Sequence, residues 1–231
     1  MDSLTKDDFL NGQTLLIDKP LNWTSFQAVN KLKWAIRKKF DLGKKFKIGH
    51  AGTLDPLATG LLIICTGKAT KTIPAIQGQQ KEYTGVITLG ATTPSYDLES
   101  EIDQEFSTSH ITAELIAETK QQFLGEIEQI PPIFSAVKKD GKRAYELARK
   151  GEEVQLNSRR ITISAFEIST VQFPNLHFKV SCSKGTYIRS LAHDFGKALN
   201  SGAHLSALRR TKIGEFHVDN SVSPEDFTAN L

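Results

Sequence analysis

An α+β fold with a largely antiparallel sheet is what this 231-residue sequence predicts, and three observations predict it. Strand-like and helix-like stretches are mixed along the chain. Several strand-like stretches follow one another with no helix between them, which suits antiparallel neighbours rather than parallel crossovers. There is no internal repeat or low-complexity segment, and 39% apolar with 24% charged residues is ordinary for a globular chain able to bury a core. The expectation is a single domain over residues 1–231.

Residues 14–18 form a short apolar run that reads as a strand ending at Lys19-Pro20. Thr24 and Ser25 are good helix N-caps. Val29, Leu32, Ile36 and Phe40 then recur on one face, predicting a helix over 26–40 whose other face carries Lys31, Lys33, Arg37 and Lys38. A glycine-rich loop follows at 49–60. Residues 61–65 read as a buried strand, 68–76 as helical, and 83–89 as a strand bounded by glycines. Residues 91–106 form a polar, acidic loop, and 112–123 an amphipathic helix. From 125 to 154 the character changes. Pro131-Pro132, the hairpin signal Asp140-Gly141 and a basic run to Arg149 predict an exposed excursion from the core. Strands return at 161–171 and 176–182. The small turn Ser183-Lys184-Gly185-Thr186 leads into a helix over 187–199, and a last strand pair spans 205–218.

Several function classes lose support at this level. The N-terminus lacks the basic-then-apolar pattern of a secretory signal, and no apolar run approaches the ~18 residues of a spanning helix, so a cytoplasmic protein is expected. Cys65 and Cys182 sit far apart among apolar residues, as buried reduced thiols do. No CxxC pair exists and the six histidines show no ligand spacing, so no metal is expected. Gly67-Lys68 fails as a phosphate loop because Leu62 and Ala69 stand where glycine and a hydroxyl are required. Asp194-Phe195-Gly196 lacks the other kinase segments. Net charge is only +3, but basic residues cluster at 31–47, 138–149, 159–160 and 209–212 while acidic ones gather at 97–105 and 114–128. That segregation favours a basic face and an anionic partner.

Four segments carry residues that look chemical: Asp18-Lys19-Pro20, the loop from Gly49 to Gly60, Lys81-Glu82-Tyr83, and Ser183 to Arg189. Each lies at a strand end or strand-to-helix turn, where scaffolds place functional groups. The loop Gly-His-Ala-Gly-Thr-Leu-Asp-Pro-Leu-Ala-Thr-Gly is the densest. Its glycines permit close backbone approach, and Pro56 stiffens the chain beside Asp55, so a carboxylate is presented from a rigid turn. Together with Leu208-Arg209-Arg210, these segments resemble the signatures of the TruB family of tRNA pseudouridine synthases, and the resemblance runs from about Thr14 to Gly214.

The resemblance implies the pseudouridine synthase fold, with residues 125–154 as a thumb-like insertion. It also implies an enzyme that converts uridine 55 in the tRNA T-arm to pseudouridine without metal or organic cofactor. Asp55 would be the nucleophile, Arg189 the arginine paired with it, and Tyr83 the aromatic ring stacked on the target base. Lys19, His50, Asp97, Tyr187 and Leu208 would line the substrate site. Lys19 would contact either the active-site loop or the RNA. Lys138, Lys139, Lys142 and Arg143 of the insertion would meet phosphates of the T-stem-loop, with tRNA the implied partner. Three departures stand out. Asn22 replaces the usual glycine in the Lys-Pro turn. Thr93-Pro94-Ser95-Tyr96-Asp97 keeps only one of the usual two aspartates. The chain also ends soon after the last motif, where longer members continue into a PUA domain, so none is expected. The alternative is a non-catalytic RNA-binding or tRNA-folding module on the same fold, which would have no reason to keep Asp55 and Arg189 together.

Overall fold

The computed structural model describes residues 4–135, 138–139, 142–143 and 156–231. Along the chain these form α1 (Lys6–Asn11), β1 (Thr14–Lys19), α2 (Ser25–Phe40), β2 (Ile48–His50), β3 (Ala58–Thr66), a 3-10 turn at Gly67–Thr72, α3 (Ile73–Gly78) and β4 (Lys81–Leu89). There follow β5 (Ala91–Thr92), β6 (Gln104–Glu105), α4 (Ala113–Gln121), β7 (Gly125–Gln129), β8 (Lys138–Lys139), β9 (Lys142–Arg143), β10 (Arg159–Gln172) and β11 (Asn175–Cys182). The chain closes with α5 (Ile188–Ala198), β12 (Ala203–Ile213), β13 (Phe216–His217), a 3-10 turn at Val218–Asn220 and α6 (Pro224–Ala229). It divides into two units, Met1–Tyr83 with Leu208–Leu231, and Thr84–Ala207. The predicted mixture of helices and mainly antiparallel strands is what forms.

In the first unit, β3 is the central strand. It pairs antiparallel with β1 and β2 and parallel with β12, where Leu208 faces Ala58 and Arg210 faces Gly60. Eight of its nine residues are buried, which requires cover on both faces. The period-two alternation of a strand supplies two cores. Leu62 and Ile64 pack with Ala28, Val29, Leu32 and Ile36 of α2, while Leu61, Ile63 and Cys65 pack with Ile76, Ile213 and Val218. Thr24 caps α2, its hydroxyl accepting from the Gln27 N–H while the Gln27 side chain accepts from the Thr24 N–H, and Arg37, Lys38 and Lys39 sit in the last turn. The other predicted N-cap, Ser25, begins the helix and turns its hydroxyl elsewhere, as described below.

In the second unit, the strand order is β12-β4-β11-β10-β7, and β10 pairs antiparallel with both β11 and β7. Helix α5 buries Ile188, Leu191, Ala192 and Phe195, and the Phe195 ring lies 5.6 Å from both Phe123 and Phe166. Here the structure corrects the sequence reading, which started the exposed excursion at residue 125. Gly125–Gln129 is instead a sheet strand in register with Arg159 to Ile163, and Gln129 is buried. The sequence Gly-Glu-Ile-Glu-Gln holds one large apolar residue, so nothing in its hydropathy marked it as sheet. The turn Asp140-Gly141 lies outside the described residues, but β8 and β9 on either side pair antiparallel, as the hairpin signal requires. Arg149 also lies outside them. Cys65 and Cys182 are buried and free, as expected. No helix among the described residues is long and apolar enough to cross a membrane.

Gly196 on α5 packs where a Cβ would strike the Ala203 Cβ and backbone nitrogen. The substitution Gly196→Ala is therefore expected to destabilise the protein by about 1–3 kcal/mol through overpacking, measured by denaturant titration.

Candidate active site

The loop that presents Asp55 is fixed from three directions within the first unit. From β12, the Arg210 guanidinium reaches under it: Nε donates to the Leu61 carbonyl at 2.8 Å, Nη2 to Gly52 at 3.0 Å and Nη1 to Thr53 at 3.4 Å. Arg210 is 1% exposed, so these bonds operate away from water, and charge-assisted bonds of this kind are worth about 1.5–3 kcal/mol each. From α2, the Ser25 hydroxyl accepts from the Leu54 N–H at 2.8 Å and donates to the Leu54 carbonyl at 3.0 Å. From the turn after β1, the Asn22 N–H donates to the Pro56 carbonyl at 2.9 Å. Asn22 has φ 64°, so the asparagine that replaces glycine takes up the left-handed conformation itself. Gly60 has φ 100° and lies so close to Arg210 that a Cβ would strike its backbone N and O.

Lys19 completes this frame. It is fully buried, and its Nζ donates to the carbonyls of Trp23 at 2.6 Å, Pro20 at 2.9 Å and Pro56 at 3.5 Å. Lys19 thus meets the loop, one of the two partners the sequence suggested for it. Burial pushes its ammonium down from 10.5 to about 8; the Asp55 carboxylate opposes this and the Arg210 charge reinforces it. His50 sits at the end of β2, and burial, with the Arg210 charge adding to it, lowers its pKa, leaving the ring neutral at pH 7. Tyr83 is a buried residue of β4, and Leu208 lies on β12 in register with Ala58. Beside Leu208, Arg209 grips Asp18 through two bonds of 3.0 and 2.7 Å.

The second unit gathers Asp97, Arg189 and Tyr187. Asp97 is 4% exposed, and Arg189 is 5% exposed with its Nε 3.5 Å from the Asp97 carboxylate. The other carboxylate oxygen accepts from the Ser95 hydroxyl at 2.6 Å and the Glu99 N–H at 3.0 Å. The guanidinium also donates to the carbonyls of Ser95 at 3.1 Å and Phe134 at 3.0 Å. The single aspartate kept in the 93–97 segment is thus the one that meets Arg189. Next to it, Tyr96 holds φ 64° and stacks on His193 at 3.9 Å between centroids. Tyr187 is half-buried at the start of α5, with the Arg159 guanidinium 4.7 Å over its ring. Lys138, Lys139, Lys142 and Arg143 form β8 and β9.

Sequence reasoning missed how Arg210 and Ser25 frame the Asp55 loop. Arg210 was visible only within the Leu208-Arg209-Arg210 motif and a basic cluster, and Ser25 only as a helix cap. Among the described residues, no group of three or more His, Cys, Asp or Glu side chains converges as a metal site would.

Solved structures with this fold include a Cbf5-Nop10-Gar1 complex, 31% identical with TM-score 0.71 over 96% of this chain, and an H/ACA RNP bound to a substrate RNA containing 2'-deoxyuridine, 27% identical with TM-score 0.67 over 96%. The chain spans about half of those solved chains, 54% and 53%. The fold is that of RNA-modifying isomerases. A family model described as TruB family pseudouridylate synthase (N terminal domain) matches residues 37–188, and one described as tRNA pseudouridylate synthase B C-terminal domain matches 189–231. The protein belongs to the TruB family and is a pseudouridine synthase. Relatives named tRNA pseudouridine synthase B include one from Flavobacterium johnsoniae, 64% identical over 99% of this chain and 100% of its own length. Another, from Phocaeicola vulgatus, is 56% identical over 95% of this chain and 93% of its own.

The Lys19 shift gives a pH-dependence with a definite sign. The native pKa of about 8 lies below the ordinary 10.5, so between those values the unfolded chain binds more protons and stability contributed through Lys19 rises with pH. Relative to Lys19→Met, wild-type protein is expected to gain unfolding free energy from pH 8 to 10.5. A denaturant-titration series that finds a constant difference would contradict this.

Proposed function

We propose that the protein isomerises uridine 55 in the T-arm of tRNA to pseudouridine, with Asp55 as the nucleophile. The observation that carries this reading is the immobilised carboxylate: a loop held by Arg210, Ser25, Asn22 and Lys19 presents Asp55 with Lys19 close enough to feel its charge. Pre-set geometry of this kind is what a covalent step needs, because a misplaced nucleophile loses rate steeply. The shared name and near-full-length identity of the bacterial relatives support tRNA as substrate.

The reaction exchanges an N1–C1′ bond and a C5–H bond for a C5–C1′ bond and an N1–H bond. Substrate and product are isomers, so atoms and electrons balance without a co-reactant. Asp55 forms a transient covalent bond to the target nucleotide while the glycosidic bond is broken and remade at C5, and cleavage of that bond frees the product and restores the carboxylate. Tyr83 stacks on the base and assists departure of the C5 proton. Arg189 is the cationic member of the catalytic set. His50, neutral at pH 7, contacts the RNA beside the extruded base, at a site lined further by Tyr187, Leu208 and Asp97. Extruding a base from the T-loop costs a few kcal/mol, which stacking on an aromatic ring offsets by ~1–3 kcal/mol. The basic residues of β8 and β9 supply phosphate contacts.

Asp55→Asn is expected to abolish pseudouridine formation in a T-arm minihelix while leaving tRNA affinity within a few-fold. Turnover retained in that variant would remove Asp55 as nucleophile. Neutralising Lys138 and Lys142 together should lower the slope of log affinity against log salt by roughly one to two units, at ~0.7–0.9 per phosphate contact. An unchanged slope would take the insertion out of the RNA interface.

A further inference from the structure

Within the second unit, four hydrogen bonds tie residues 129–134 to residues 187–190. The Gln129 carboxamide makes two of them to one residue: its Nε2 donates to the Tyr187 carbonyl at 3.0 Å and its Oε1 accepts from the Tyr187 N–H at 2.8 Å. The Ser190 hydroxyl donates to the Ile130 carbonyl at 2.8 Å, and Arg189 Nη2 donates to the Phe134 carbonyl at 3.0 Å. Gln129 is 2% exposed and Ser190 1%, so these bonds form away from water, where breaking one strands its partner.

From this geometry we infer that Gln129 and Ser190 are positioning residues, a clasp that sets Tyr187 and Arg189 from the root of the insertion carrying β8 and β9. Three features converge on it. Tyr187 is the N-cap of α5 yet makes no side-chain capping bond, so its side chain does not tie its backbone to the helix start. Gln129 does so instead, as a neighbouring strand's peptide group would. Ser190, in the first turn of α5, bonds across to Ile130 rather than back along its own helix. The tie to Phe134 belongs to Arg189 itself, which also meets Asp97 and Ser95.

The segment between the anchors is stiff. Pro131 and Pro132 have fixed φ and are both buried, so the path from Gln129 to Phe134 has little freedom to absorb a displacement. The strap from Gln129 to Phe134 therefore holds the backbone of Tyr187 and the guanidinium of Arg189 in one position. This deepens the proposed function and rests on it, because it names residues that act on the rate through Tyr187 and Arg189 without touching the RNA.

The test is single-turnover pseudouridine formation in a T-arm minihelix, with RNA affinity measured alongside. Gln129→Met keeps length and burial but removes both bonds. Ser190→Ala removes one bond at least structural risk. Each is expected to lower the turnover rate, tenfold or more for Gln129→Met and several-fold for Ser190→Ala, with RNA affinity within about twofold. A residue acting through Arg189 loses its effect once Arg189 is altered. In an Arg189→Lys background, each substitution should cost far less than in wild type, whereas a merely structural role would be additive. Unchanged turnover in Ser190→Ala, or full additivity with Arg189→Lys, overturns the clasp. The wild-type control separates the two claims: no pseudouridine from wild-type protein overturns the functional reading, while normal wild-type turnover with unaffected variants overturns the clasp alone.

Discussion

A buried guanidinium holding backbone carbonyls is the constraint on which the first unit depends. Arg210 has almost no contact with water, and it satisfies Gly52, Thr53 and Leu61 from inside the loop. A loop of glycines and small residues has no core of its own. Its carbonyls would otherwise face either solvent or an unsatisfied interior. Arg210 removes that conflict by supplying donors from a strand held in place by parallel pairing with β3. The cost is a charge taken out of water, and the return is one loop conformation rather than many. Lys19 repeats the device with an ammonium and three carbonyls, and its lowered pKa is the signature of that desolvation.

The second unit applies the same logic to a different pair. Arg189 and Asp97 are both buried, and beyond one another they bond groups fixed by a turn or strap, among them Ser95, Glu99 and Phe134. A buried ion pair contributes little net stability, because desolvation of both partners offsets their attraction. Its use here is geometric. Both units therefore place cations on backbone carbonyls to define functional segments that have little apolar side-chain surface of their own to pack.

Membership of the TruB family places this arrangement in an enzyme that rearranges a nucleoside within RNA. Such a reaction draws no reactant from solution other than the RNA. Under the proposed function, what the protein must provide is an extruded base, a nucleophile at fixed distance and phosphate contacts that hold the strand, with the rigid loop answering the second need and the basic residues of β8 and β9 the third.

The sequence by itself determined the mixed fold, the helix over α2, the buried strand β3, the left-handed tolerance of Asn22 and the loop that carries Asp55. Those are local matters, written in periodicity, caps, glycine and proline. It did not reveal β7, because Gly-Glu-Ile-Glu-Gln is polar and becomes sheet only through its register with β10. It did not reveal that Ser25 leaves capping to Thr24 and bonds Leu54 across 29 residues of chain, or that Arg210 reaches Gly52 across 158. Only the tertiary structure decided those contacts. Hydrogen-bond partners for buried polar groups are set by which backbone ends up alongside, and that depends on strand pairing between distant segments rather than on any property of the residues in isolation.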